Sequence, residues 1–121
     1  MARLRTEELI VHGIQVDSRE EYNVAKALDE IGLEYAYQKY LGASEERGTF
    51  IIDFLVYTVP KPTPLLVHGE YWHTGKYAAE SELKEAMINA RMRGTWRDVI
   101  VIWENECQSI DDAMVALQKK L

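Results

Sequence analysis

The chain has 121 residues, 47% hydrophobic and 28% charged, with a formal net charge of −6. That apolar content suits one domain with a real core, so 1–121 is expected to be a single domain. The one cysteine, Cys107, excludes an internal disulfide and a cysteine-rich zinc site, and the acidic balance argues against a broad surface of clustered Lys and Arg for nucleic acid.

The opening residues, Met1-Ala2-Arg3-Leu4-Arg5, form no apolar signal segment, and no run is long enough to span a bilayer. A cytoplasmic protein that avoids the membrane is the expectation; the small size also suits a phage or mobile-element product acting in its host's cytoplasm.

In chain order, residues 1–7 are polar and read as frayed or extended. Glu8 to Val16 is rich in β-branched residues and reads as a short strand interrupted at Gly13, with His12 inside it as a partly buried structural residue. Asp17 and Ser18 are good N-cap residues, and Ser18-Arg19-Glu20-Glu21 matches the capping box. Tyr22, Ala25, Leu28 and then Ile31 or Leu33 recur at helical spacing before Gly32, which predicts an amphipathic helix over Arg19–Ile31. Glu21, on its first turn, either completes the capping box or points across the sheet toward Asp53.

Glu34 to Leu41 alternates, placing Tyr35, Tyr37 and Lys39 on one face of a half-buried strand. Residues 42–48 are a polar turn or loop. Thr49 to Tyr57 is the strongest strand in the sequence, interrupted by one carboxylate, Asp53. An ionised carboxylate there needs a cation, a donor network or a proton. A bound metal and a structural ion pair both meet that need.

Val59 to Pro64 holds all three prolines and reads as a stiff link between strands. The next stretch, Leu65-Leu66-Val67-His68-Gly69-Glu70-Tyr71-Trp72-His73, begins as a buried strand and breaks at Gly69. Two imidazoles, a carboxylate and two aromatics then crowd the end of a core strand, where α/β sheets place their ligands. A short link between neighbouring strands brings Asp53 close to Val67 and His68, which favours the metal over the ion pair.

Tyr77 to Arg93 reads as a long helix with apolar positions Ala79, Leu83, Ala86, Met87 and Ala90. Its charged face, Glu80, Glu82, Lys84 and Glu85, reads as solvated, with one acid near the start able to reach the site. Arg91, Arg93 and Arg97 around Gly94, like Lys119 and Lys120, read first as solvated helix ends. Asp98 to Glu104 is a buried strand. Ser109 with Asp111 or Asp112 opens a last helix carrying Ala113, Met114, Ala116 and Leu117. Trp96 and Trp103 read as packing residues. The order strand, helix, strand, strand, strand, helix, strand, helix predicts an α/β fold with a mixed sheet of about four to five strands flanked by helices.

An acid in the first helix and an aspartate in the second core strand resemble the restriction-endonuclease-like PD-(D/E)XK superfamily. Ser18-Arg19-Glu20-Glu21, Leu28, Gly32-Leu33, Ile52-Asp53-Phe54, His68-Gly69-Glu70-Tyr71-Trp72-His73 and Val101-Ile102-Trp103-Glu104 together look more closely like the very-short-patch mismatch-repair endonucleases. They are similar also to the related homing endonucleases named for an E-D-x-H-D signature. The likeness covers a core of about 18–104.

The resemblance implies a metal-dependent DNA endonuclease. Asp53 and the backbone carbonyl of Val67 would bind Mg²⁺ (or Mn²⁺). His73 would activate the attacking water, His68 would contact the scissile phosphate, and Glu21 would orient the network. Tyr71 and Trp72 fall where the repair enzymes wedge aromatics into the base stack, although core packing remains open for Trp72. Lys76, Arg91 and Arg93 complete the expected DNA contacts.

The chain departs from those families in three ways. Glu70 stands where the repair enzymes have a zinc-binding cysteine, so no structural zinc is expected. Ile52, not proline, precedes Asp53, and the superfamily's lysine is missing, its role passing to histidine. The acid completing the E-D-x-H-D pattern is Glu80, Glu82 or Glu85. DNA is the expected partner, with a homodimer or fusion to a DNA-recognition domain both open. Two other functions stay in view: a catalytically inactive DNA- or protein-binding member of the fold, and a transition-metal protein using His68, His73 and Glu70.

Overall fold

The computed structural model describes residues 9–41, 50–69 and 75–121, by backbone alone at 50 and 75–77. The first of these form a hairpin, β1 (Ile10–Val11) and β2 (Ile14–Gln15), in place of the single strand expected over Glu8 to Val16. His12 and Gly13 both have positive φ, 52° and 78°, as a two-residue turn matched to strand twist requires. His12 is exposed, not partly buried, and its Nε2 lies 2.8 Å from Asp29 Oδ1.

Helix α1 spans Arg19–Ile31, as its end signals predict. Ser18 Oγ accepts the Glu21 N–H at 3.1 Å, satisfying one of the free donors of the first turn. At the other end Gly32 takes φ 87° and donates to Asp29 O while Leu33 donates to Leu28 O, closing a Schellman turn. Val24, Ala25, Ala27 and Leu28 are buried against the sheet and the last helix. Full burial of a side chain such as Leu28 contributes about 2 kcal/mol. Buried Asn23 is satisfied by donating to Cys107 O at 2.9 Å.

A four-stranded mixed sheet follows, in the order β3 (Tyr35–Leu41), β4 (Phe50–Val56), β5 (Thr63–His68), β6 (Ile100–Trp103). β3, β4 and β5 are antiparallel; β5 and β6 are parallel, joined by helix α2 (Gly75–Arg91). β5 starts two residues earlier than the sequence suggests, because Pro64 pairs with Leu55 inside the strand. After β6 a 3₁₀ turn, Glu104–Glu106, leads to α3 (Ile110–Lys120), whose Ser109 cap accepts from Asp112 N–H.

Helices α1 and α3 pack with Phe54, Val56, Leu65 and Ile102 into the main core on one face. On the other face Ile88 of α2 meets Leu41 and Ile52, with Met92, Trp96 and Val99 around them. Strand alternation resets at one place. Phe54 faces α1 and Ile52 faces α2, although both are even-numbered; on β3, Tyr37 faces α1 and Leu41 faces α2. Between them the register skips Gln38, whose φ is 54°. A left-handed residue in a strand turns the pleat over. Asp53 lies opposite that turnover, which throws its side chain sideways toward β5 instead of onto either face.

The α2 surface is a second correction. Its buried positions are Ser81 and Ile88, with Lys84 and Glu85 half-buried, whereas Ala79, Leu83, Ala86, Met87 and Ala90 face solvent. No helix of the described residues is long and apolar enough to cross a membrane.

Candidate active site

The ladder between β4 and β5 runs from Val56↔Thr63 to Phe54↔Leu65. Continuing it would set Ile52 against Val67. Instead, Asp53 Oδ2 accepts the Val67 N–H at 2.8 Å, so a side-chain carboxylate replaces a strand carbonyl. The N–H and C=O of one strand residue project to the same side. The Val67 carbonyl therefore opens toward Asp53 as well.

Glu21 reaches the same region from the first turn of α1. Its Oε1 accepts from the Tyr37 hydroxyl at 2.7 Å, and its Oε2 accepts from Ser18 Oγ at 3.2 Å. The Tyr37 oxygen in turn accepts the Asp17 N–H at 2.9 Å. Glu21 is thus tied to the Ser18 hydroxyl, not to its backbone N–H as a full capping box requires, and lies near enough to Asp53 to feel its charge. Burial pushes its carboxyl up to about 7; the Tyr37 hydrogen bond opposes this and the charge of Asp53 adds to it. Asp53 is likewise pushed up by burial, against the Val67 N–H and the nearby Lys84 ammonium. Two desolvated carboxylates, Glu21 raised further by the charge of Asp53 and Asp53 by that of Asp17, form a site that favours a cation or a proton.

All the oxygens here are hard donors. Among the described residues no three His, Cys, Asp or Glu side chains gather closely enough to hold a metal ion. A divalent ion would therefore rest on the Asp53 carboxylate and the Val67 main-chain oxygen, with Glu21 alongside. Such an oxygen set suits Mg²⁺, which keeps several waters.

His68 projects to the other face of β5. It is 6% exposed, its Nε2 lies 2.8 Å from Ser81 Oγ, and its ring meets Trp103 with centroids 5.3 Å apart. Ser81 Oγ donates to Glu85 Oε2 at 3.1 Å. A hydroxyl has one proton, so this assigns the donor role at Nε2 to the imidazole and fixes its tautomer. Of the three acids left open on α2, Glu85 is the one joined to His68; Glu80 and Glu82 are exposed.

The fold thus brings Glu21, Asp53 and Val67 together and turns His68 toward α2. Arg91 and Arg93 are not gathered with them. They lie at the far end of α2, about 24 Å along a helix of this length from its start, beside Arg97, whose N–H donates to Pro62 O. Glu70, Tyr71, Trp72, His73 and the Lys76 side chain lie outside the described residues. Tyr37 and Ser81 carry site hydrogen bonds that the sequence reading missed. The alternation sets Tyr37 with Tyr35 on one face, as the structure does, whereas Lys39 is exposed beyond the Gln38 turnover; Ser81 carries no signal in the sequence. A cavity of about 670 Å³ between the hairpin and the α1–β3 turn, walled by Val11, Ile14, Val16, Leu33 and Tyr57, contains neither Asp53 nor Glu21. Comparison of the chain with protein-family models, with curated proteins and with solved structures finds no match.

Proposed function

We propose that the protein is a metal-dependent DNA endonuclease built on a restriction-endonuclease-like core. The observation that carries this reading is the Asp53–Val67 contact at the point where β4 and β5 part, with Glu21 beside it. In this reading Asp53 and the Val67 carbonyl hold Mg²⁺ or Mn²⁺. The ion, when bound, supplies positive charge to the phosphate undergoing hydrolysis.

The chain's own residues do the rest. Asp53 is aimed by its bond to the Val67 N–H, which fixes one carboxylate oxygen and leaves the other for a ligand. Glu21 is held from two sides by Tyr37 and Ser18, a positioning that suits an acid orienting water or a neighbouring imidazole. His73 is the residue the sequence resemblance assigns to take the water's proton, a task a neutral imidazole performs near neutral pH. His68 is here a positioning residue, anchored through Ser81 and Glu85 at the end of β5.

A second reading, a catalytically inactive DNA- or protein-binding member of the fold, is favoured by the burial of His68 and by the net charge of −6. Assays on supercoiled, mismatched and branched DNA with Mg²⁺ and with Mn²⁺ separate the two. Cleavage abolished by both Asp53→Asn and His73→Ala supports the nuclease. DNA or protein binding without cleavage, unchanged by Asp53→Asn, supports the second reading.

A further inference from the structure

The outward face of α2 is a continuous apolar stripe. Ala79, Leu83, Ala86, Met87 and Ala90 fall within about 100° of the helix circumference, opposite the buried Ser81 and Ile88. Leu83 is 61% exposed and Met87 46%. Among the described residues nothing covers that stripe, and an apolar stripe presented to water marks a surface for a partner.

Charge along the helix indicates which partner. Glu80 and Arg91 are both exposed and lie on the same flank of the stripe, at opposite ends. A two-fold axis across the helix, between residues 85 and 86, reverses its direction and returns each flank to the same side. It would set Glu80 against the partner's Arg91, Arg91 against the partner's Glu80, and Leu83 beside the partner's Met87. The surface is self-complementary in both hydrophobicity and sign, as an isologous dimer interface must be.

We infer that the protein forms a two-fold dimer through antiparallel pairing of α2 with α2 of a second copy. This does not rest on the nuclease reading; it gives Arg91, one of the expected DNA contacts, to the dimer seam instead.

Sedimentation velocity of the full chain over a concentration series tests it. The expected result is a monomer–dimer equilibrium. Leu83→Asp and Met87→Asp should each raise the dissociation constant at least tenfold. Glu80→Arg and Arg91→Glu should each weaken the dimer, most strongly at low salt, and the double variant should restore it, because only the swapped pair recovers opposite charges. Circular dichroism of each variant checks that the fold is kept. A chain that stays monomeric throughout, a dimer indifferent to Leu83→Asp, or a double charge swap without rescue would overturn the inference.

Discussion

Asp53 accepts the Val67 N–H at 2.8 Å at the place where the β4–β5 ladder stops, so one half-buried carboxylate both ends the strand pairing and marks the candidate centre. The two jobs separate on mutation. Asp53→Asn keeps an oxygen for the Val67 N–H and removes a charge that burial disfavours; without divalent metal at pH 8 it should match or exceed wild-type stability by about 1 kcal/mol. Asp53→Ala orphans the N–H and should lose about 1–3 kcal/mol. Urea unfolding of the pair gives the answer, and equal losses in both variants would count against this role.

Glu21 makes stability depend on pH. Its carboxyl titrates near 4.5 in an unfolded chain and about 7 in the folded one. Between those values the folded state holds the extra proton, so stability should fall as pH rises; the contribution is fully present below 4.5 and lost as pH passes about 7. Glu21→Gln should flatten that slope in denaturant melts at pH 5 and pH 8. Parallel curves for the two proteins would refute the assignment.

Tyr37 restrains the same carboxylate by donating to it. Tyr37→Phe should cost about 1–2 kcal/mol and move the Glu21 titration to higher pH, since that hydrogen bond favours the ionised acid. Carboxyl-carbon NMR titration reads the shift, and a midpoint at or below the wild-type value would contradict it.

Ser81 joins His68 to Glu85. Ser81→Ala should destabilise the protein by about 1–2 kcal/mol by removing the buried hydroxyl that links the His68 imidazole to Glu85. Nitrogen-15 spectra of the wild type should show His68 protonated at Nε2 when neutral. The opposite tautomer would reverse the direction of the relay.

Much of the frame was legible in the sequence because it is written in local chemistry. Ser18 with Glu21, and Gly32 after Ile31, set the ends of α1 through caps that depend on neighbours in the chain. Asp53 stood out as a charge in an apolar strand, a conflict that only tertiary structure resolves. What escaped was tertiary in origin. The apolar spacing of α2 says that the helix has a stripe, not which way it faces, and here His68, Ser81 and Ile88 turn it outward. The pleat turnover at Gln38 left no mark in the alternation of Tyr35, Tyr37 and Lys39. Gly13 alone reads as an interruption of one strand; with His12 also at positive φ, the pair is instead the turn of a hairpin.

The most direct test of the central claim is cleavage of supercoiled plasmid DNA with Mg²⁺, comparing wild type with Asp53→Asn under conditions where both are folded. The account predicts nicked or linear product from the wild type, abolished by chelation and reduced at least a hundredfold in the variant. Cleavage that persists undiminished in Asp53→Asn, or a folded wild type that binds Mg²⁺ and DNA yet leaves the plasmid intact, would contradict it.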